Sequence, residues 1–210
     1  MSAGYRGLLI DAGGVLITDP FASFDAFLAR EGLRLPSFLS LYRESPELAS
    51  LMHRLEVGEV GHEEVESRLA GMLGLPAERA PGLFEELYAD VAPVPGMIAA
   101  VERLRGAGAR TGLLSNSWYL PVYDEPFYAR AFDVQLISGR CGVRKPDPRM
   151  FELGVQALGV APEGIVFVDD FEENLPPAQA MGMRTVLHDP TEPARTVPVL
   201  ERLFAGVLGR

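Results

Sequence analysis

The sequence predicts an α/β fold, a parallel sheet with a helical segment inserted behind its first strand. Three observations carry that prediction. From residue 97 onward short apolar runs alternate with amphipathic stretches, as they do when helices cover both faces of a parallel sheet. Residues 21–92 place apolar side chains only at helical spacing and contain no convincing strand. Four of the apolar runs end in polar residues with useful chemistry, and open parallel sheets gather ligands outside the carboxyl ends of their strands.

The first strand is Gly7-Leu8-Leu9-Ile10, which delivers Asp11 into the turn Ala12-Gly13-Gly14. Such a turn leaves backbone N–H groups free around the carboxylate, which suits a nucleophile facing an anion, although Asp and Gly are also common turn residues. Helical groupings then follow one another: Phe24, Phe27 and Leu28; Leu48, Leu51, Met52 and Leu55; Val65, Leu69, Met72 and Leu73; Leu83, Leu87, Tyr88 and Val91. Glycine and proline separate them at 32–36, 58–61 and 74–76, and Ala92-Pro93-Val94-Pro95-Gly96 marks the return to the main domain. Hinges are therefore expected near 17–20 and 92–96. The domain reading is a core of 1–18 and 95–210 with a helical cap of 19–94.

Beyond the second hinge the pattern reads helix 97–106, strand 111–115, strand 134–137, helix 148–158, strand 165–168, helix 175–181, strand 184–187 and helix 197–207. Asn174 before Leu175-Pro176-Pro177 is a candidate helix start and Gly182 a stop.

Composition bounds the function. At 210 residues and 48% hydrophobic content the chain can bury one substantial core, or a core with a small appended domain. The one cysteine, Cys141, excludes an internal disulfide and fits a reducing compartment. No apolar stretch has the eighteen or so residues of a membrane span, and the first residues lack the pattern of a signal peptide, so a cytoplasmic protein is expected. A formal net charge of −10 disfavours nucleic acid as a partner. Anionic substrates must then be captured by local charge.

The polar residues that close these four runs are Asp11, then Ser115-Asn116, then Lys145-Pro146-Asp147-Pro148, then Asp169-Asp170. In this order they resemble the four motifs of the haloacid dehalogenase superfamily over about residues 6–190. The sequences Ser115-Asn116-Ser117-Trp118, Lys145-Pro146-Asp147-Pro148 and Asp169-Asp170 with Asn174-Leu175 are similar to the helical-cap group that includes the N-terminal phosphatase domain of soluble epoxide hydrolase.

The resemblance implies a Rossmann-like three-layer core and a hydrolase of small phosphorylated molecules. It implies Asp11 as nucleophile forming an aspartyl-phosphate, with Ser115 and Lys145 as catalytic partners. Gly13, Gly14 and Asn116 would bind substrate. Mg²⁺ would be held by Asp11, Asp170 and the Gly13 carbonyl, with Asp169 acting through water. The residues support this independently: adjacent carboxylates after a wholly apolar strand repel unless a cation is present, and Lys145 sits in a loop stiffened by proline. Arg144 reads as a surface charge. Trp118, Tyr119 and Tyr123 read as pocket wall or as packing, and His53, His62 and His188, which share no metal-ligand spacing, as surface or packing residues.

One departure matters. Phosphatases of the family usually carry a second Asp two residues after the nucleophile, where this chain has Gly13. Acid–base help of that kind is typically worth about a hundred- to ten-thousand-fold, or roughly 3 to 5 kcal/mol. Weak hydrolysis of alkyl phosphates is expected, with aryl and acyl phosphates less affected. Two rivals follow from the same departure: a 2-haloacid dehalogenase, for which Arg43 would hold the substrate carboxylate, and a non-catalytic regulatory or binding protein.

Overall fold

The computed structural model describes residues 4–209; residues 1–3 and 210 of the predicted core lie outside them. Five strands, β1 (Gly7–Ile10), β2 (Arg110–Ser115), β3 (Val134–Ile137), β4 (Ile165–Asp169) and β5 (Arg184–Leu187), form one sheet in the order β3-β2-β1-β4-β5. All four pairings are parallel. The predicted strands are thus all present, each within a residue or so of its expected ends.

Period-two alternation explains the three layers. In β1, Leu8 and Ile10 point into one apolar cluster while Leu9 points into another. In β4, Val166 and Val168 join the first and Ile165 and Phe167 the second. Helices α6 (Pro95–Gly106) and α11 (Thr196–Leu203) cover the first face, through Met97, Val101, Leu104 and Leu200. On the second face lie α9 (Pro148–Leu158) and α10 (Leu175–Ala180), through Met150, Phe151, Leu158 and Ala178. β1 and residues 165–168 of β4 are therefore apolar because both of their faces are buried.

Between β1 and α6 run α1 (Pro20–Arg30), α2 (Phe38–Glu44), α3 (Pro46–Glu56), α4 (His62–Met72) and α5 (Leu83–Leu87), with no strand among them. Their starts are written in side chains: Asp19 accepts from the Phe21 N–H at 2.8 Å, and Ser45 from the Leu48 N–H at 3.2 Å, each just before a proline at the first helical position. Their apolar stripes meet in a separate cluster containing Phe24, Phe27, Phe38, Leu51, Met52, Leu69 and Phe84, joined by Trp118 from beyond β2. Each fully buried aromatic there contributes roughly 1.5–3 kcal/mol of transfer free energy. The two chain crossings between this helical segment and the sheet lie side by side, with Thr18 N–H donating to Ala92 O and Val94 N–H to Leu16 O, both at 2.8 Å.

The last predicted helix differs. It breaks at Phe204, and α12 (Ala205–Leu208) follows as a separate turn. Phe204 is fully buried against the sheet, edging toward Tyr5 with ring centroids 6.4 Å apart, so the chain turns to seat the ring rather than continuing straight. The short helices α7 (Pro126–Ala131) and α8 (Ser138–Cys141) carry too few residues to show a period in sequence.

His188, after β5, is 2% exposed, with Nδ1 2.8 Å from Thr196 Oγ1 and Nε2 without a partner. Burial lowers its pKa from 6.5. Above 6.5 both folded and unfolded chains carry it neutral; below, the unfolded chain takes the proton first, so stability falls with pH. His188→Gln is expected to flatten the difference between urea denaturation at about pH 7.5 and about pH 5, by at most about 1.4 kcal/mol per pH unit.

Candidate active site

Strand register brings the chemistry together. Ile10 pairs with Leu113 on one side and Val168 on the other, so the residues following β1, β2 and β4 emerge along one edge of the sheet. Asp11, Asp169 and Asp170 each place a carboxylate oxygen within 4.8 Å of the others. Carboxylates from near the two ends of the chain thus gather at one point.

Lys145 lies among them with no exposed side-chain surface, its Nζ 3.0 Å from Asp11 Oδ1 and 2.6 Å from Asp169 Oδ2. Burial opposes its charge, but these two carboxylates outweigh that and raise its pKa. Asp11 also accepts from the Ala12 N–H at 2.7 Å, again on Oδ1. Asp169 is filled by protein donors: Oδ1 accepts from the Phe171 N–H and the Asn174 side chain, both at 2.9 Å. Asn174 makes no side-chain cap for α10, so its amide serves the site.

Asp170 has the opposite character. Its Oδ1 is buried without a hydrogen-bond partner. Burial and then the neighbouring Asp11 and Asp169 raise its pKa to about 9, and burial raises Asp11 to about 6 against the pull of Lys145. Three carboxylates facing one ammonium leave two negative charges when all are ionised, which a divalent cation would balance. The donor set is all oxygen. It therefore fits a hard divalent ion such as Mg²⁺.

The glycine turn is shaped around that carboxylate. Gly14 has φ +68°, and a Cβ there would lie 2.2 Å from Asp170 Oδ2. At Gly13 a Cβ would meet only the Pro20 ring at 3.5 Å, an ordinary contact.

The expected residues divide in placement. Asp11, Gly13, Asn116, Lys145 and Asp170 line one cavity of about 140 Å³, together with Trp118. Asn116 lines it but spends its amide on the Lys145 loop, Nδ2 donating to Lys145 O at 3.0 Å and Oδ1 accepting from Lys145 N–H at 2.8 Å. Ser115 is buried with its hydroxyl 2.9 Å from the Tyr123 hydroxyl and is not part of the lining. Tyr119 and Tyr123 are likewise outside it. The histidines find protein partners, His53 at Tyr42 (2.7 Å) and His62 at the Trp118 carbonyl (2.9 Å).

Arg144 is corrected. It is not a surface charge: only 23% of its side chain is exposed, and its guanidinium pairs with Glu56, a buried carboxylate at the end of α3. Glu56 Oε1 in turn accepts from Trp118 Nε1 at 2.6 Å. Glu56, Asp19, Phe21, Tyr42, Tyr88, Phe171 and Glu173 complete the wall and were not legible as site residues. Most come from the helical segment, where each simply reads as part of a helix or its start.

Comparison with known proteins bears on the family and the fold. Residues 5–182 match the family described as haloacid dehalogenase-like hydrolase. Mouse acyl-CoA dehydrogenase family member 10 is 27% identical over 207 residues, covering 95% of this chain, which spans only 19% of that protein's length. Sesquiterpene phosphatase astK of Aspergillus oryzae is 25% identical over 190 residues, 87% of this chain and 89% of its own. Among solved structures, the enzyme bt-2542 from Bacteroides thetaiotaomicron superposes with a TM-score of 0.70 at 22% identity, over 89% of this chain and 94% of that one. That protein has also been solved with magnesium and inorganic phosphate.

Proposed function

The chain belongs to the haloacid dehalogenase-like hydrolases, and from that premise we propose that it is a Mg²⁺-dependent phosphatase working through an aspartyl-phosphate on Asp11. The observation that carries this is the Asp11–Asp169–Asp170 cluster with its orphaned Asp170 oxygen, which asks for a divalent cation beside the candidate nucleophile. Phosphatase and magnesium–phosphate relatives support it.

Both contacts of Asp11 fall on Oδ1, leaving Oδ2 to attack phosphorus in line. The bond from phosphorus to the leaving oxygen breaks, and the alcohol half departs as its anion. Water then attacks the phosphorus of the aspartyl-phosphate, releasing inorganic phosphate and restoring the carboxylate. Lys145 holds Asp11 ionised and meets phosphoryl charge; Asn116 and Asp169 fix the lysine's backbone and ammonium. Mg²⁺, when bound by Asp11, Asp170 and the Gly13 carbonyl, supplies charge neutralisation at the phosphoryl oxygens. Residues 19–94 act as the cap and 1–18 with 95–210 as the core.

Haloacid chemistry is disfavoured by Arg43. It lies outside the cavity lining, with 58% of its side chain exposed and Glu173 3.9 Å away, so among the described residues the cavity offers no unpaired arginine to a substrate carboxylate. The test is phosphate release from an aryl phosphate with Mg²⁺ and with chelator, beside halide release from a 2-haloacid. Phosphate release that chelation abolishes is expected. Halide release surviving chelation, or no reaction with any ester, overturns the reading.

Gly14→Ala probes the cation directly. A methyl group 2.2 Å from Asp170 Oδ2 must push that carboxylate aside. Mg²⁺ affinity, read as the metal-induced rise in melting temperature, is expected to fall by at least about tenfold.

A further inference from the structure

The wall above Asp11 has a chemical character of its own. Phe21 stands edge-on to Trp118 with centroids 5.4 Å apart and tilts toward Tyr42 and Phe171 at 6.2 and 6.0 Å; Tyr42 lies 5.2 Å from Trp118. These four rings line the cavity together. Asp11, Lys145 and Asp170 line this same cavity of about 140 Å³, so the phosphoryl group takes part of that volume and the rings enclose room for no more than one ring, a cavity for benzene alone being ~150 Å³.

Charge in the lining is already spoken for. The cations are Arg144 and Lys145. Arg144 is paired with Glu56, and Lys145 with Asp11 and Asp169. The remaining charged groups, Asp19, Asp170 and Glu173, are acidic. Once Lys145 has met the phosphoryl group, a second anionic group on the substrate would find no free cation and several carboxylates, an arrangement that rejects it. A cationic group meets acids that are already engaged: Glu173 faces Arg43 at 3.9 Å, Asp19 accepts from the Phe21 N–H at 2.8 Å, Glu56 is paired with Arg144, and Asp170 serves the metal site.

We infer that the alcohol half of the substrate is a single uncharged aromatic ring, so that the natural ester is a neutral-ring aryl phosphate, with the Glu56–Arg144 pair filtering out ring carboxylates. This rests on the phosphatase reading and deepens it. The missing acid at Gly13 points the same way, because a phenolate leaves without needing a proton.

The experiment compares four esters on the wild-type chain with Mg²⁺: 4-(methoxycarbonyl)phenyl phosphate, 4-carboxyphenyl phosphate, phosphocholine and acetyl phosphate. The first two differ in ring charge at closely similar shape. Acetyl phosphate has a good leaving group and no ring. Expected is a kcat/KM for the neutral aryl ester at least about tenfold above each of the others. Glu56→Gln, which frees Arg144, is expected to reduce the discrimination against the carboxylated ring by about tenfold; if that variant does not fold, the wild-type ratios decide. Equal turnover of the carboxylated ring, or preference for phosphocholine, overturns the inference. Acetyl phosphate turnover without aryl preference overturns it while leaving the phosphatase reading intact. Turnover of none of the four overturns both.

Discussion

Asp11→Asn is expected to reduce Mg²⁺-dependent hydrolysis of an aryl phosphate by at least about 10⁴-fold, some 5 kcal/mol of barrier. The amide matches the carboxylate in size but is a poor nucleophile and brings no charge to a cation. Stability should move the other way or not at all. Asp11 is one of three crowded carboxylates, held up to about 6 by burial and by Asp169 despite Lys145; removing it relieves repulsion while Lys145 keeps Asp169 at 2.6 Å. Phosphate release beside a thermal melt without metal checks both halves. A residual rate within tenfold of wild type would place the nucleophile elsewhere.

Gly13→Asp is expected to raise turnover of an alkyl phosphate by about a hundredfold or more, while changing an aryl phosphate far less, because only the alkoxide needs a proton as it leaves. The backbone is ready for the change. Gly13 is not among the glycines of positive φ, and a Cβ there would touch only Pro20 at 3.5 Å. The backbone at Gly13 therefore admits a side chain where the sequence omits the acid. Kinetics on a paired alkyl and aryl ester read the ratio directly; an unchanged ratio would mean that another group already donates the proton.

The strands, the intervening helices and the carboxylate cluster were legible because each rests on a local regularity. Short, β-branched apolar runs such as Ile165–Val168 fit strands buried on both faces, and a polar residue closing such a strand emerges at the sheet edge. The wall of the cavity was not legible for the complementary reason. Glu56 closes a helix, Phe21 opens one, and Tyr42 sits within a third; nothing in their spacing says that the three helices meet over residue 11. Arg144 was misread because its partner is 88 residues away in sequence. Asn174 stands at the head of α10, where the sequence placed a helix start, but its amide holds Asp169 instead of capping the helix.

The chain has a single tryptophan. Trp118 follows β2, packs among the helices of residues 20–87, lines the cavity and is tied to Glu56 through its indole N–H. Excited at the red edge, where tyrosine does not absorb, the unlabelled protein consequently emits from one indole at the boundary between the helical segment and the sheet. Anything that enters beside it, or any motion that parts the two layers, changes its quenching and wavelength, so occupancy can be followed in stopped flow without a probe attached.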